Sequence, residues 1–309
     1  MLKAEMPQAS NAIRARWRPR LFVRASIWGH GAAIPILAML PLGEWIWVAA
    51  ALLANHAALA AFTLHPQSQV VGPTLRRLPG EQARQGLVAL TFDDGPDPNV
   101  TPRVLDLLDR YEARASFFCI GTRAAKHPDL VREIAFRGHT VENHTWSHHY
   151  GFALLGLRGM ALEVQRTQEL LTRLTRTPPR WVRAPAGLRS PLLDPVLTRL
   201  GVAHASWTRR GFDTACRNPT RVLARLTRGL KAGAVLLLHD VDYGRAALGE
   251  PVVTAVLPGL LQAITAAGLR AVALPTPVPA ATPAKAIAAR SPASSARAST
   301  RAIRCPAHS

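Results

Sequence analysis

The feature that most constrains this chain is a regular alternation that begins at residue 87. Apolar, β-type runs at 87–92, 115–120, 139–142, 180–183, 202–206, 234–238 and 270–274 are separated by amphipathic helical patterns near 101–112, 122–136, 156–175, 190–200, 218–230 and 250–267. In the first of those patterns Val104, Leu107, Leu108 and Tyr111 fall at i, i+3, i+4 and i+7, which places all four on one helical face. Strands separated by helices pair in parallel through crossover connections. The pattern therefore predicts an α/β fold, an irregular (β/α)7 barrel over residues 87–274. In such a fold the loops after the strands open on one side, and chemistry collects there.

Upstream lies a different kind of sequence. From Ala25 to Leu64 there is no Lys or Arg, and Glu44 is the only formal charge. Pro41-Leu42-Gly43-Glu44 divides the stretch into runs of about 17 and about 20 residues, against the ~20 that a bilayer core requires. Trp28, Trp45 and Trp47 stand near the run ends, where aromatic rings prefer the interface. We expect a two-helix membrane hairpin over 26–64, preceded by a basic N-terminal segment, 1–25, and followed by a Pro/Gly-rich linker, 65–86. With the basic N-terminus inside, two crossings return the domain to the cytoplasmic face of the inner membrane. A competing reading notes that the first run is short and holds His30 and Pro35. A re-entrant segment or a single uncleaved anchor would then leave the main domain outside. A cleaved signal peptide fits less well, because 25 residues precede the apolar region.

Charge points away from nucleic acid. The 309 residues carry 38 Lys+Arg against 19 Asp+Glu, a net charge of +19. About half of that excess sits in residues 1–25 and 275–309. The second of these is a basic tail of Ala, Pro, Ser, Thr and Arg, expected to be disordered because it can bury too little apolar surface. Basic residues on such tails favour anionic lipid head groups or RNA without encoding specificity, and with no basic groove interleaved with aromatics we expect no nucleic-acid partner. The three cysteines, Cys119, Cys216 and Cys305, form no CxxC pair, so a disulfide framework and a zinc knuckle are both excluded.

The polar residues that follow the strands carry the chemistry. Asp93-Asp94-Gly95-Pro96 leaves the first run, and Asn143-His144-Thr145-Trp146-Ser147-His148-His149 the third. Arg183-Ala184-Pro185-Ala186-Gly187 leaves the fourth, Asp213 follows the fifth, and the sixth ends in His239-Asp240. Two adjacent aspartates at one strand end repel unless a cation sits with them. If the segment from His144 to His148 is helical, its two imidazoles share one face, as a metal requires. Asp94 with His144 and His148 then makes an open three-ligand site suited to Zn²⁺ and a water. Other conspicuous residues receive ordinary roles. His127-Pro128-Asp129 opens a helix, His149 faces away from the site, Cys119 is a core residue, and Asp240 either orients a neighbour or ends its strand.

Taken in order, Thr91-Phe92-Asp93-Asp94-Gly95-Pro96, His144-x-x-x-His148, Arg183-x-Pro185-x-Gly187 and Leu237-Leu238-His239 resemble the motifs of the polysaccharide deacetylases. This is the carbohydrate esterase family 4 group with a NodB homology domain, and the resemblance covers about 86–274. It implies that Asp93 is the general base and that Asp94, His144 and His148 hold the metal. It implies that His239 is the general acid, that Arg183 holds Asp93 in place, and that Asp213 supports protonated His239. The backbone N–H of Ala186 would serve the oxyanion.

Two departures bear on substrate. Ala186 stands where the family usually has an aromatic residue, and Thr214 follows Asp213 where it commonly has Trp. A sugar-packing surface and one wall of the acyl pocket are thereby altered, while the catalytic groups are kept. The expected function is metal-dependent removal of an N-acetyl group from an aminosugar in a polysaccharide or lipid-linked glycan at the membrane. The alternatives are a deformylase or deacylase of a lipid-linked sugar and, in a different class, an inactive membrane-tethered carbohydrate-binding module.

Overall fold

The computed structural model describes residues 17–246 and 249–277. Most of the basic segment 1–25 and nearly all of the tail 275–309 lie outside the described residues. Among the described residues eight strands occur in chain order: β1 (Leu87–Asp93), β2 (Ser116–Cys119), β3 (Thr140–Asn143), β4 (Trp181–Val182), β5 (Ala203–His204), β6 (Arg209–Arg210), β7 (Val235–His239) and β8 (Arg270–Val272). All pair in parallel in the order β5-β4-β3-β2-β1-β7-β6, and β8 pairs the first half of β1 where β2 pairs the second. The helices are α1 (Leu21–Met39), α2 (Trp45–Thr63), α3 (Gly80–Arg84), α4 (Thr101–Arg110), α5 (Gly121–Lys126), α6 (Pro128–Phe136), α7 (Leu157–Thr175), α8 (Leu193–Leu200), α9 (Pro219–Thr227) and α10 (Val252–Ala266).

The expected β/α alternation is present, and β1 shows how it places the site. Side chains alternate faces along a strand. Val88, Leu90 and Phe92 point outward into the main core beneath the helices, whereas Leu87 and Ala89 join a second cluster inside the barrel. Leu90 and Phe92 are fully buried, each worth roughly 1.5–3 kcal/mol of transfer free energy. Continuing the inner row brings Thr91 and then Asp93 to the strand's C-terminal end. Strand β7 repeats the arrangement, with Leu236 and Leu238 outward and Val235 and Leu237 inward, so that His239 ends its inner row. The register sets Asp93 directly beside His239.

Three expectations are corrected here. Strand β6, which pairs Arg209 with Leu236 and Arg210 with Leu237, carries no apolar run; Asp213 follows it rather than the fifth run. The single helical pattern at 122–136 is two helices, α5 and α6, because Pro128 cannot continue a helix from its N-terminal side. Residues 65–86 do more than link. Leu75 bridges Ala205 and Arg77 bridges Ala234, so the segment lies between β5 and β7, with Val71 and Leu78 buried.

Helices α1 and α2 form an antiparallel pair in which the rings of Phe22 and Phe62 stand 5.3 Å apart and Asn55 donates to Ser26 Oγ at 2.9 Å. Helix α1 starts at Leu21, earlier than expected, and takes Arg24 into its first turn. Each helix has 19 residues, and that length spans roughly 28 Å. Both are long and apolar enough to cross a membrane; a signal sequence has the same length and composition.

Candidate active site

The polar residues singled out above converge at the C-terminal end of the sheet, around a cleft of about 250 Å³. Its lining includes Asp93, Asp94, His144, His148, Ala186 and His239, and also Thr214, Trp207, Tyr150 and Tyr243.

Asp93 is held from below. Arg183 Nη1 donates to Asp93 Oδ1 at 2.6 Å and to Thr91 Oγ1 at 3.0 Å, while its Nε and Nη2 donate to the carbonyls of Ala205 and Ser206. The guanidinium also lies over the Phe118 ring, 4.0 Å from its centroid. Arg183 is fully buried, so its charge is tolerable only because the ion pair and the two carbonyls compensate it.

Asp94 turns away from the strand through a left-handed conformation, φ 73°. Its Oδ1 lies 3.1 Å from His144 Nε2 and 3.2 Å from His148 Nε2. The Nδ1 of His144 sits 2.8 Å from the Arg183 carbonyl, an acceptor, so this nitrogen carries the hydrogen and Nε2 presents its lone pair. Buried Asp94 Oδ1 has no hydrogen-bond donor of its own. A carboxylate oxygen and two imidazole nitrogens within 4.8 Å of one another form a donor set that fits a divalent cation.

The segment carrying the two histidines is not helical, contrary to expectation. It is a loop in which Thr145 and His148 take left-handed φ values of 63° and 51°. Glu163, from α7, explains why: its carboxylate accepts the backbone N–H groups of Trp146 and Ser147 and the Ser147 hydroxyl. Asn143 Oδ1 accepts the Thr145 N–H as well. These bonds replace those of a helical turn and bring both imidazoles to Asp94. Positive φ in non-glycine residues recurs around the cleft, at Asp94, Thr145, His148, Ala186 and Phe212. Such strain clusters at functional sites.

On the opposite wall His239 Nδ1 lies 3.0 Å from Asp213 Oδ1, and its backbone N–H donates to Asp213 Oδ2 at 2.8 Å. Burial disfavours a charged His239, but the Asp213 carboxylate, together with Asp94 and Asp93, outweighs it and raises the imidazole above its ordinary value. Ala186 is exposed in a tight turn, and the Gly187 beside it has φ +75°. A Cβ on Gly187 would stand 2.5 Å from the Trp207 ring, so only glycine fits. Asp240 accepts from Thr101 Oγ1 at 2.6 Å behind the site, and burial pushes its carboxyl up to about 7.

Sequence reasoning missed Tyr243, whose hydroxyl donates to Asp94 Oδ2 at 2.7 Å. It lies in an aperiodic loop after β7, where only its polar tip could have marked it. Trp207 was missed too, and it fills part of the wall near Ala186.

Residues 80–205 match the family model described as polysaccharide deacetylase. A chitooligosaccharide deacetylase from a Bradyrhizobium species is 32% identical over 166 residues, covering 54% of this chain and 76% of the relative. A peptidoglycan-N-acetylglucosamine deacetylase from Bacillus cereus is 33% identical over 170 residues, covering 52% and 75%. Among solved structures, the family 4 carbohydrate esterase from Streptomyces lividans in complex with acetate is similar with a TM-score of 0.55. Its identity is 30%, over 60% of this chain and 91% of that one.

Proposed function

This chain belongs to the polysaccharide deacetylase family, and on that footing we propose that it is a metal-dependent hydrolase that removes the N-acetyl group from an aminosugar. The observation that carries the reading is the position of Asp94 Oδ1, orphaned between two imidazole nitrogens and flanked by a carboxylate on one side and a carboxylate-backed imidazole on the other. The relatives' names supply the substrate class, an N-acetylated glycan.

Asp94, His144 and His148 would hold the cation, and their one-carboxylate, two-imidazole chemistry favours Zn²⁺. Bound there, it supplies a Lewis acid for the amide carbonyl and makes a water more acidic. Asp93, fixed by Arg183, takes the proton from the attacking water. The backbone N–H of Ala186, at the mouth of the cleft, serves the oxygen that becomes negative as the carbonyl carbon turns tetrahedral. His239, kept protonated by Asp213, gives its proton to the departing nitrogen as the C–N bond breaks, leaving acetate and an amine. A base and an acid at the ends of neighbouring strands, Asp93 and His239, supply the two proton transfers that expulsion of a poor amine leaving group requires.

Helices α1 and α2 would anchor the chain in the inner membrane, with the catalytic domain on the cytoplasmic face and a lipid-linked aminosugar within reach. Acetate release from an N-acetylated chitooligosaccharide by the purified chain tests the activity. Release that stops with Asp93→Asn supports the assignment, and no release from the unaltered chain overturns it.

A further inference from the structure

Both ends of the α1–α2 hairpin land at the catalytic mouth. At its start, Trp17 Nε1 donates to Asp194 Oδ2 at 2.9 Å, and Asp194 lies in the first turn of α8, just beyond the turn that holds Ala186 and Gly187. At its end, Pro66 stands against Gly187, with its Cβ 2.7 Å from where a glycine Cβ would be. Buried Arg189 then donates to the carbonyls of Ser68, Gly72 and Pro73. The tether is therefore short at both ends, and it joins the barrel at the end where substrate enters.

That same end is apolar at its rim. Every strand is parallel, so each loop from a strand into its helix opens beside Asp93 and His239. On these connections Tyr150 is 81% and Leu154 90% exposed, and Leu157, Leu192 and Phe212 are exposed as well. At the opposite end, among the described residues, one large apolar side chain is exposed, Phe136 at the last residue of α6, 87% exposed, against these five at the catalytic end. Large apolar side chains gathered on one face mark a surface made for an apolar partner. Arg18, Arg20 and Arg24, at the start of α1, are exposed beside the same junction. Arginines at that level suit anionic head groups, with their stems along apolar surface.

We propose that the catalytic mouth is seated on the bilayer: its apolar rim enters the interface, and the substrate is the sugar head group of an anionic membrane lipid, taken without leaving the membrane. The substrate half of this inference rests on the deacetylase reading above; the seating does not.

The test uses the full chain reconstituted in vesicles that contain anionic phospholipid. A bimane label on Leu154→Cys, in a chain carrying Cys216→Ser and Cys305→Ser, reports the depth of the rim. Quenching by doxyl-labelled lipids is expected, and a label that stays unquenched would overturn the seating whatever the activity. Two substrates are then compared, a soluble tetra-N-acetylchitotetraose and an N-acetylglucosaminyl phospholipid in the vesicle. The lipid is expected to be turned over with kcat/KM at least roughly tenfold higher, a difference of about 1.4 kcal/mol. Leu154→Glu combined with Leu157→Glu should abolish that preference while the soluble substrate is still cleaved. Equal rates on the two substrates in the unaltered chain would overturn the substrate half. Quenching with turnover of neither substrate would instead remove the deacetylase reading and leave the seating in place.

Discussion

His239 and Asp213 are joined twice, ring to carboxylate and main chain to carboxylate, at 3.0 and 2.8 Å. The two bonds fix both the orientation of the imidazole and the position of the group that charges it. Because Asp213 raises the His239 pKa, the protonated ring that we propose as the proton donor to the departing amine persists to higher pH and is lost as pH rises through that value. Asp213→Asn should therefore move the alkaline limb of the kcat profile to lower pH and reduce kcat by roughly 10–100-fold, in line with other groups that orient a reacting imidazole. A pH–rate profile checks it; an unmoved limb would separate Asp213 from the titration of His239.

Asp93→Asn keeps the shape of the side chain and its hydrogen bond from Arg183 but removes the carboxylate that we propose as the proton acceptor. The expected fall in kcat is roughly 10²–10⁴-fold, with metal content unchanged. Acetate release and metal analysis on the same preparation separate the two effects.

His148 reaches Asp94 from a loop rather than from a helix, and its left-handed backbone depends on neighbours that pin it. His148→Ala should cost the chain most of its bound metal while the fold persists, since the ring is half-buried and packs mainly on other site residues. Metal analysis alongside circular dichroism checks this.

Tyr243→Phe removes one donor from Asp94 Oδ2. Groups that orient a ligand typically change metal affinity by roughly 10–100-fold. We expect weaker binding in a competition with a chelator and near-normal turnover once the metal is saturating. Unchanged affinity would confine Tyr243 to lining the cleft.

Asp240 gives a stability prediction. Its carboxyl, raised to about 7 by burial, takes up a proton on folding. The stability linked to it is present below the unfolded value of roughly 4 and is lost as pH rises through about 7. Asp240→Asn, neutral throughout, should raise Tm at pH 8 more than at pH 5. Equal shifts at the two pH values would contradict this.

The strand ends were legible because inner-face alternation and strand-end position are local properties of sequence: Asp93 and His239 follow directly from the inner rows of β1 and β7. The path from His144 to His148 was not, because a spacing of four fits a helical turn as well as it fits a loop. What decides between them is Glu163, sixteen residues after Ser147, whose carboxylate satisfies the loop's N–H groups. Strand β6 escaped notice because two arginines that pair with the sheet leave no apolar period. Residues 65–86 read as a linker from their prolines and glycines, yet Leu75 and Arg77 meet strand partners far away in sequence, and no local pattern records such contacts.

We expect amide hydrolysis to need a cation held by Asp94, His144 and His148. The most direct measurement is acetate release from an N-acetylated chitooligosaccharide by chelator-stripped protein as Zn²⁺ is added back. We predict no release from the stripped chain and full recovery at one equivalent, with no recovery in His148→Ala. Stripped protein that hydrolyses as fast as untreated protein would contradict it.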